Sequence, residues 1–292
     1  MSLSKAEMIE KTLDLVKSEL GDITVRTLWE HPVFAYSHYN VIQDRDFTGG
    51  WNRFVLDLVA WARKYPRNAW INAGEVRKTN NRVPGDRWKP AMVDLFRPAT
   101  APKKDADGKV VLGADGKPQK VFIGRFNTYQ VFNVAELQTD NYKLRPMPEP
   151  LTDAEFSAKA QSIVDRVKVR IEVAPECEIR PHYEPSTDTV RVHTKDYFKS
   201  ERLYYFCMFH EIVHATGSPE RLNRAKDNYA QEELIAHFGA LILSLQCGLK
   251  TDDPEVREFF TSYLAGYAEK KVDSEVMEAI SQAYKAVDYI LK

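Results

Sequence analysis

An α+β fold of two units is what this sequence predicts, and three observations carry it. The chain mixes stretches of helical periodicity with short β-rich runs. In its second half, after an opening helical run, two strand-like runs are followed by several helical runs, an order that suits α+β organisation. Between the halves, Pro146, Pro148 and Pro150 punctuate residues 143–152, the composition of a linker. Residues 1–142 and 151–292 are therefore expected as separate units. At 292 residues, 43% hydrophobic and 28% charged, the chain is long enough for both and has the balance of an ordinary globular protein. No apolar run approaches the ~18 residues of a membrane span, and the N-terminal stretch lacks the apolar centre of a signal peptide. Cys177, Cys207 and Cys247 are scattered and form no C-x-x-C pair, which argues for a reducing compartment, with cytoplasm as the default.

Taken in order, residues 4–20 repeat Met8, Ile9, Leu13, Val16 and Leu20 at helical spacing. Residues 29–50 read as loop, broken by Pro32 and by Gly49 and Gly50. A second helix spans Trp51 to Arg63, its apolar face built from Phe54, Leu58 and Trp61. A short run at Trp70 and Ile71, a polar loop from Lys78 to Trp88 and a strand from Ala91 to Phe96 follow. The stretch 101–120 carries Asp107-Gly108 and Asp115-Gly116, dipeptides of tight turns, and reads as an exposed hairpin excursion. Thr128 to Asn133 is the strand that closes the first unit. The second opens with a helix over Asp153 to Arg166 and strands over Val167 to Val173 and Thr189 to His193. Helical patterns fill the remainder: Tyr204 to Gly217, Tyr229 to Gly248 and Glu255 to Leu291. Thr189–His193 is expected beside the cleft, either taking an extended peptide by strand addition or forming the sheet edge.

The chemistry concentrates in YYFCMFHEIVHATG, residues 204–217. His210 and His214 are four apart, which on a helix places both imidazoles on one face. Glu211 projects beside them, completing the H-E-x-x-H arrangement of zinc peptidases, two metal ligands and a general base. A third ligand is expected from the next helix, where Glu232 and Glu233 both have suitable spacing. Glu232 is preferred because its helix face continues through the small residues Ala236, Gly239 and Ala240; Glu233 is the alternative, and the one left over is a solvated or outer carboxylate. His182 and Tyr183, ahead of the second strand, are placed as donors in the substrate cleft.

Charge is uneven in the first unit. From Arg63 to Lys104 eleven Lys and Arg stand against three Asp and Glu. Arg53, Arg63, Lys64, Arg67, Arg77, Lys78, Arg82, Arg87 and Lys89 alternate with Tyr39, Trp51, Tyr65, Trp70 and Trp88, the mix of stacking faces and phosphate partners that holds single strands. The competing reading makes Trp51, Trp61 and Trp70 core residues.

With these residues in view, the chain resembles the ArdC-type antirestriction proteins of conjugative plasmids and phages. The likeness runs through Asp188-Thr189-Val190, Tyr204-Tyr205, HEIVHATG followed by Glu220-Arg221-Leu222-Asn223-Arg224, the run Tyr229 to Ala236, and Ala286 to Ile290. In the first half it rests on Gly49-Gly50-Trp51-Asn52, Trp70 and Tyr129 to Val134. His237 stands where that family generally has Glu, Ser218 where many members have His, and residues 76–92 where they carry a glycine- and lysine-rich loop. The resemblance implies an N-terminal single-stranded-DNA-binding domain, a zincin-like metallopeptidase domain, and a role in shielding incoming DNA from host restriction. It implies a divalent cofactor, Zn2+ or another such as Mn2+. The partners are then single-stranded DNA and a host protein or peptide, with no membrane. Two other readings suit the same residues: a DNA-binding, chaperone-like pseudo-peptidase with a purely structural metal, and a metallopeptidase with no DNA role.

Overall fold

The computed structural model describes residues 2–30, 37–147, 149, 151–174, 180–224, 229–249 and 270–292. Pro32, Pro148, Pro150, Cys177 and the 255–269 portion of the expected C-terminal helix lie outside them.

The mixed α+β fold is built on the long strand β6 (Lys120–Asn133). One edge of β6 pairs antiparallel with β5 (Val93–Pro102). The other edge pairs with β1 (Ser2–Leu3) and with β4 (Ala69–Asn72), whose far side carries β2 (Tyr39–Asn40) and then β3 (Arg45–Asp46). The β5 register shifts between Pro98 and Thr100, where a residue without an N–H interrupts the ladder. The pleat sorts neighbouring residues onto opposite faces. Trp70 and Val131 enter the main core under α1 (Lys5–Leu20) and α3 (Gly50–Ala62), while Ile71 and Phe132 join a smaller cluster with Tyr39 and Val76. Beyond the paired ends of β5 and β6, the excursion makes two tight turns at Gly108 (φ +80°) and Gly116 (φ +72°). There the Asp105 and Asp115 carboxylates accept backbone N–H bonds.

Several boundaries move. Residues 29–50 are less loop-like than their Pro and Gly content suggests, because α2 (Val25–Glu30) enters the stretch and β2 and β3 pair within it. Ahead of the polar loop lies α4 (Ala73–Lys78), whose start is marked by the Asn72 backbone N–H donating to the Glu75 carboxylate at 3.2 Å. After the loop, the short helix α5 (Trp88–Ala91) leads into β5.

In the second half, α6 (Asp153–Val164) begins with a Thr152–Glu155 capping box. A three-stranded sheet follows in the order β7 (Arg170–Ala174), β9 (Thr189–His193), β8 (His182–Glu184). Thr189–His193 is thus the middle strand, paired on both sides, and it offers no free edge for strand addition. Its two neighbours are the edges, Arg170–Ala174 on one side and His182–Glu184 on the other. Against this sheet lies α7 (Glu201–Ala215), which leads to α8 (Tyr229–Gln246) and finally α9 (Ser274–Leu291). Cys207 and Cys247 are free and buried.

The last helix reaches back across the molecule. α9 packs on α8 and also on α3. A Cβ on Gly50 would lie 2.1 Å from Cβ of Tyr284, so the glycine permits this close approach. Arg53 then pairs with Asp288 at 2.6 Å, and the Tyr284 hydroxyl donates to Asp57 at 2.5 Å. Beneath them Trp70 Nε1–H donates to His38 Nδ1, which leaves His38 Nε2–H to donate to Asp57, both at 2.8 Å. One hydrophobic cluster takes in Leu28, Phe54 and Trp70 together with Phe209, Phe238 and Tyr284.

Candidate metal centre

Helix α7 is buried almost all round, from Leu203 to Ala215 with only His214 half-exposed, so its length is fixed by core packing. Its four-residue spacing brings His210 and His214 edge to face, ring centroids 4.6 Å apart, with the two Nε2 atoms 3.1 Å apart. α8 approaches because Gly239 has no side chain: a Cβ there would sit 2.7 Å from Val213 of α7. Glu233 Oε2 then stands 3.5 Å from His210 Nε2, and Oε1 stands 3.5 Å from His214 Nε2.

Glu232, the preferred third ligand, points elsewhere. Its Oε1 lies 3.3 Å from His214 Nδ1, on the side of the ring away from Nε2. Arg224 holds both its oxygens, Nε to Oε2 at 2.9 Å and a terminal nitrogen to Oε1 at 2.5 Å. The same guanidinium donates to the Val213 carbonyl and the Thr216 hydroxyl, satisfying the end of α7 where the helix dipole favours a cation. Gly217 makes room for it, since a Cβ there would lie 2.9 Å from the guanidinium. Arg224 was legible only as part of the run that carries the family resemblance, with nothing local to announce its partner.

Electrostatics follow from this wiring. Burial opposes the charge on Glu232, but the Arg224 and His214 contacts prevail and hold its carboxyl below the ordinary range. Burial likewise opposes charge on His214, yet the bond to Glu232 and the carboxylates of Glu211 and Glu233 raise its pKa. Burial first, then the neighbouring His210 and His214, push His237 well below the usual imidazole value.

An ion bonded at about 2.1 Å to two donors at a tetrahedral angle sets them about 3.4 Å apart. The separations among His210, His214 and Glu233 fit such an ion without rearrangement. These three, with Glu211 and Glu232, line a cleft of about 770 Å3 whose opposite wall includes Pro181, His182, Tyr183 and Asp188. Within that wall the Tyr183 hydroxyl donates to Asp188 at 2.8 Å, and Asp188 is also held by Arg221. His182 Nδ1 is 2.9 Å from the Arg180 carbonyl.

The basic residues of the first half are distributed differently. Arg53 pairs with Asp288, Arg63 with Glu19, and Arg87 with Glu136. Arg67 donates to the Arg145 carbonyl, and Arg77 covers the face of Trp88. Lys64, Lys78, Arg82 and Lys89 are exposed. Trp51 and Trp70 are buried, as the core reading has it. Lys64 and Arg67 do meet aromatic rings, in a groove of about 510 Å3 with Tyr39, Trp61, Tyr65 and Arg145. Arg145 and Tyr39 stack there as cation over ring, 4.3 Å apart; the proline-bearing stretch that supplies Arg145 gave no sequence sign of it.

The class of the second half is marked by a match of residues 158–282 to the zincin-like metallopeptidase family model. The particular fold is that of the antirestriction protein ArdC of plasmid R388. Its metal-free and Mn(II)-bound crystal structures superpose on this chain with TM-scores of 0.59 and 0.60 at 21% and 19% identity. The superpositions cover 97% of this chain and 96% and 97% of ArdC. In sequence the chain is 28% identical over 258 residues to DNA primase TraC of Escherichia coli, and 27% identical over 235 residues to a second such primase. Those matches span 81% and 78% of this chain but only 22% and 15% of the primases' own length. It is also 28% identical over 170 residues to the uncharacterised protein y4eC of Sinorhizobium fredii, covering 56% of this chain and 52% of that protein.

Proposed function

We propose that this chain is an antirestriction protein of a mobile element, binding single-stranded DNA through residues 1–142 and carrying a metallopeptidase-like zinc site in residues 151–292. The observation that carries this reading is the convergence of His210, His214 and Glu233 at the cleft, in a fold shared end to end with ArdC. Three donors of this kind are those of a catalytic zinc site with an open position. Glu232 is reassigned from ligand to orienting group, since it accepts from Nδ1 of His214 and thereby aims Nε2 at the ion.

When bound, a divalent ion supplies Lewis acidity and lowers the pKa of a coordinated water. The protein's own contributions are positional. Glu211, on the cleft side of α7, takes the proton from the attacking water and returns it to the leaving amine. The edge strand β8 offers backbone groups along which an extended peptide of a host protein lies by strand addition. Tyr183 and His182 border that path; because Tyr183 gives its hydroxyl hydrogen to Asp188, its part is to shape the cleft. The groove at Tyr39, Trp61, Lys64, Tyr65 and Arg67 takes the nucleic acid by stacking and charge. Among the described residues no helix is long and apolar enough to cross a membrane, and the working compartment is taken to be the cytoplasm.

Glu211→Gln tests the hydrolytic part. Metal content and folding are expected to persist, while peptide cleavage falls by about 100-fold or more, and protection of transferred DNA falls with it. Unchanged protection would favour a structural metal beside a DNA-binding unit.

A further inference from the structure

Beyond Ala99 the arm formed by residues 100–125 contributes no side chain to either hydrophobic cluster. Its backbone holds it instead. Lys103 N–H donates to the Gln119 carbonyl at 2.7 Å, Gln119 N–H to Val111 at 2.9 Å, and Val111 N–H back to Lys103 at 2.9 Å. That closed ring of three bonds shapes the arm without a core. Five of the eleven exposed large apolar residues among those described lie on it: Val110, Leu112, Val121, Phe122 and Ile123. Such a concentration marks a contact surface, unlike the single apolar residues of an ordinary exterior.

Charge identifies the partner. Residues 103–125 carry five Lys and one Arg against three Asp. Asp105 and Asp115 are taken up by backbone N–H bonds, whereas Lys103, Lys104, Lys109 and Lys120 are exposed and pair with no acid among the described residues. The pleat sets Lys120 and Phe122 on one face of β6 and Val121 and Ile123 on the other. That alternation leaves no broad apolar face of the kind a lipid or a second copy would cover. Instead it leaves a ring beside a cation: Phe122 is 53% exposed, its centroid 5.3 Å from that of Phe126. At the arm's root a polar hollow of about 630 Å3 adds Arg45, Arg97, Phe47 and Tyr129. Resting on the nucleic-acid reading above, we propose that the arm and this hollow form a second surface for single-stranded DNA. It shares no residue with the groove at Tyr39 and Lys64. The arm's lysines meet phosphates and the Phe122 ring stacks on a base. Because the backbone ring already shapes the arm, binding requires little further ordering.

The test titrates the full chain with fluorescein-labelled oligothymidylate over a range of salt. Phe122→Ala is expected to weaken binding by about 5- to 150-fold, the worth of one stacked base, with the salt slope unchanged. Phe122→Trp keeps a flat ring and should bind like the wild type. Lys103→Ala, Lys104→Ala and Lys120→Ala combined should lower the salt slope by about 2, at about 0.7 per phosphate contact. All these positions lie outside the core, so urea unfolding and metal uptake should stay at wild-type values. Wild-type affinity in Phe122→Ala together with a wild-type slope in the lysine variant overturns the proposal and leaves the groove standing. No binding by the wild type overturns the nucleic-acid reading itself, and this inference with it. Loss of self-association or of anionic-vesicle binding in Phe122→Ala, at unchanged oligonucleotide affinity, also overturns it and assigns the arm to a second copy or a lipid surface.

Discussion

In the crevice between α7 and α8, ionisable side chains are pressed together: two imidazole nitrogens 3.1 Å apart, with a carboxylate 3.5 Å from each. Along the first half, by contrast, Arg53, Arg63 and Arg87 each have an acid of their own, Asp288, Glu19 and Glu136. The crevice concentrates donors facing one point, the arrangement that the proposed ion would complete. The basic stretch is neutralised from within at Arg63 and Arg87, and what is left for a polyanion is exposed side chains such as Lys64, Lys78, Arg82 and Lys89. A count of charges along the sequence treats the two alike. The number of partners each group already has separates them.

The sharpest way to break this contrast is to exchange the two neighbouring glutamates. Glu233→Gln is expected to abolish stoichiometric metal uptake by elemental analysis, leaving the fold intact. Glu232→Gln should weaken metal binding by only about 10–100-fold. It also leaves Arg224, 6% exposed, facing a neutral amide, and should cost about 3 kcal/mol in urea unfolding. If Glu232→Gln strips the metal and Glu233→Gln does not, the two roles are reversed.

A smaller effect sharpens the other side. Arg63→Ala removes bonds to Glu19, Tyr65 and the Ala91 carbonyl. It should cost about 1–3 kcal/mol of stability with little change in oligonucleotide affinity. Lys64→Ala should do the opposite, leaving stability within about 0.5 kcal/mol and reducing the salt dependence of single-strand binding by about 0.7 in slope. Equal losses of DNA binding in both variants would erase the distinction.

The smallest expected effect concerns the cleft wall. Hydrogen bonds from Arg221 hold the Asp188 carboxyl below the ordinary aspartate range. A depressed carboxyl contributes stability that is fully present above its unfolded pKa and is lost as pH falls through the lower folded value. Wild type should therefore lose this part below about pH 4, and Asp188→Asn should flatten that part of the profile. Asp188 is half-exposed, which keeps the effect under about 1 kcal/mol.

Much of the molecule could be read in advance where a pattern spans several turns. Helices α1, α3 and α6 follow their apolar spacing, α7 and α8 follow long apolar runs that are buried nearly all round, and the strand Thr189–His193 was placed to the residue. The six-residue helices α2 and α4 gave too few turns for periodicity, although the Asn72–Glu75 spacing was there to be seen. The pairing of the small sheet was not legible, because nothing within Thr189–His193 says that His182–Glu184 takes its outer edge. That Glu232 faces Arg224 while Glu233 faces the two Nε2 atoms was not legible, because Arg224 sits in the connection between helices, whose direction only tertiary packing sets. The acids that neutralise Arg63 and Arg53 lie 44 and 235 positions away in sequence, beyond any window over which charge is counted.

The last helix, wedged between α3 and α8, makes the chain's tail a shared wall. A protein ending before Ser274 would leave Gly50 and Asp57 bare on one side and the back of the α8 scaffold bare on the other. Expressing either half alone would thus yield an open, adhesive surface instead of a working fragment.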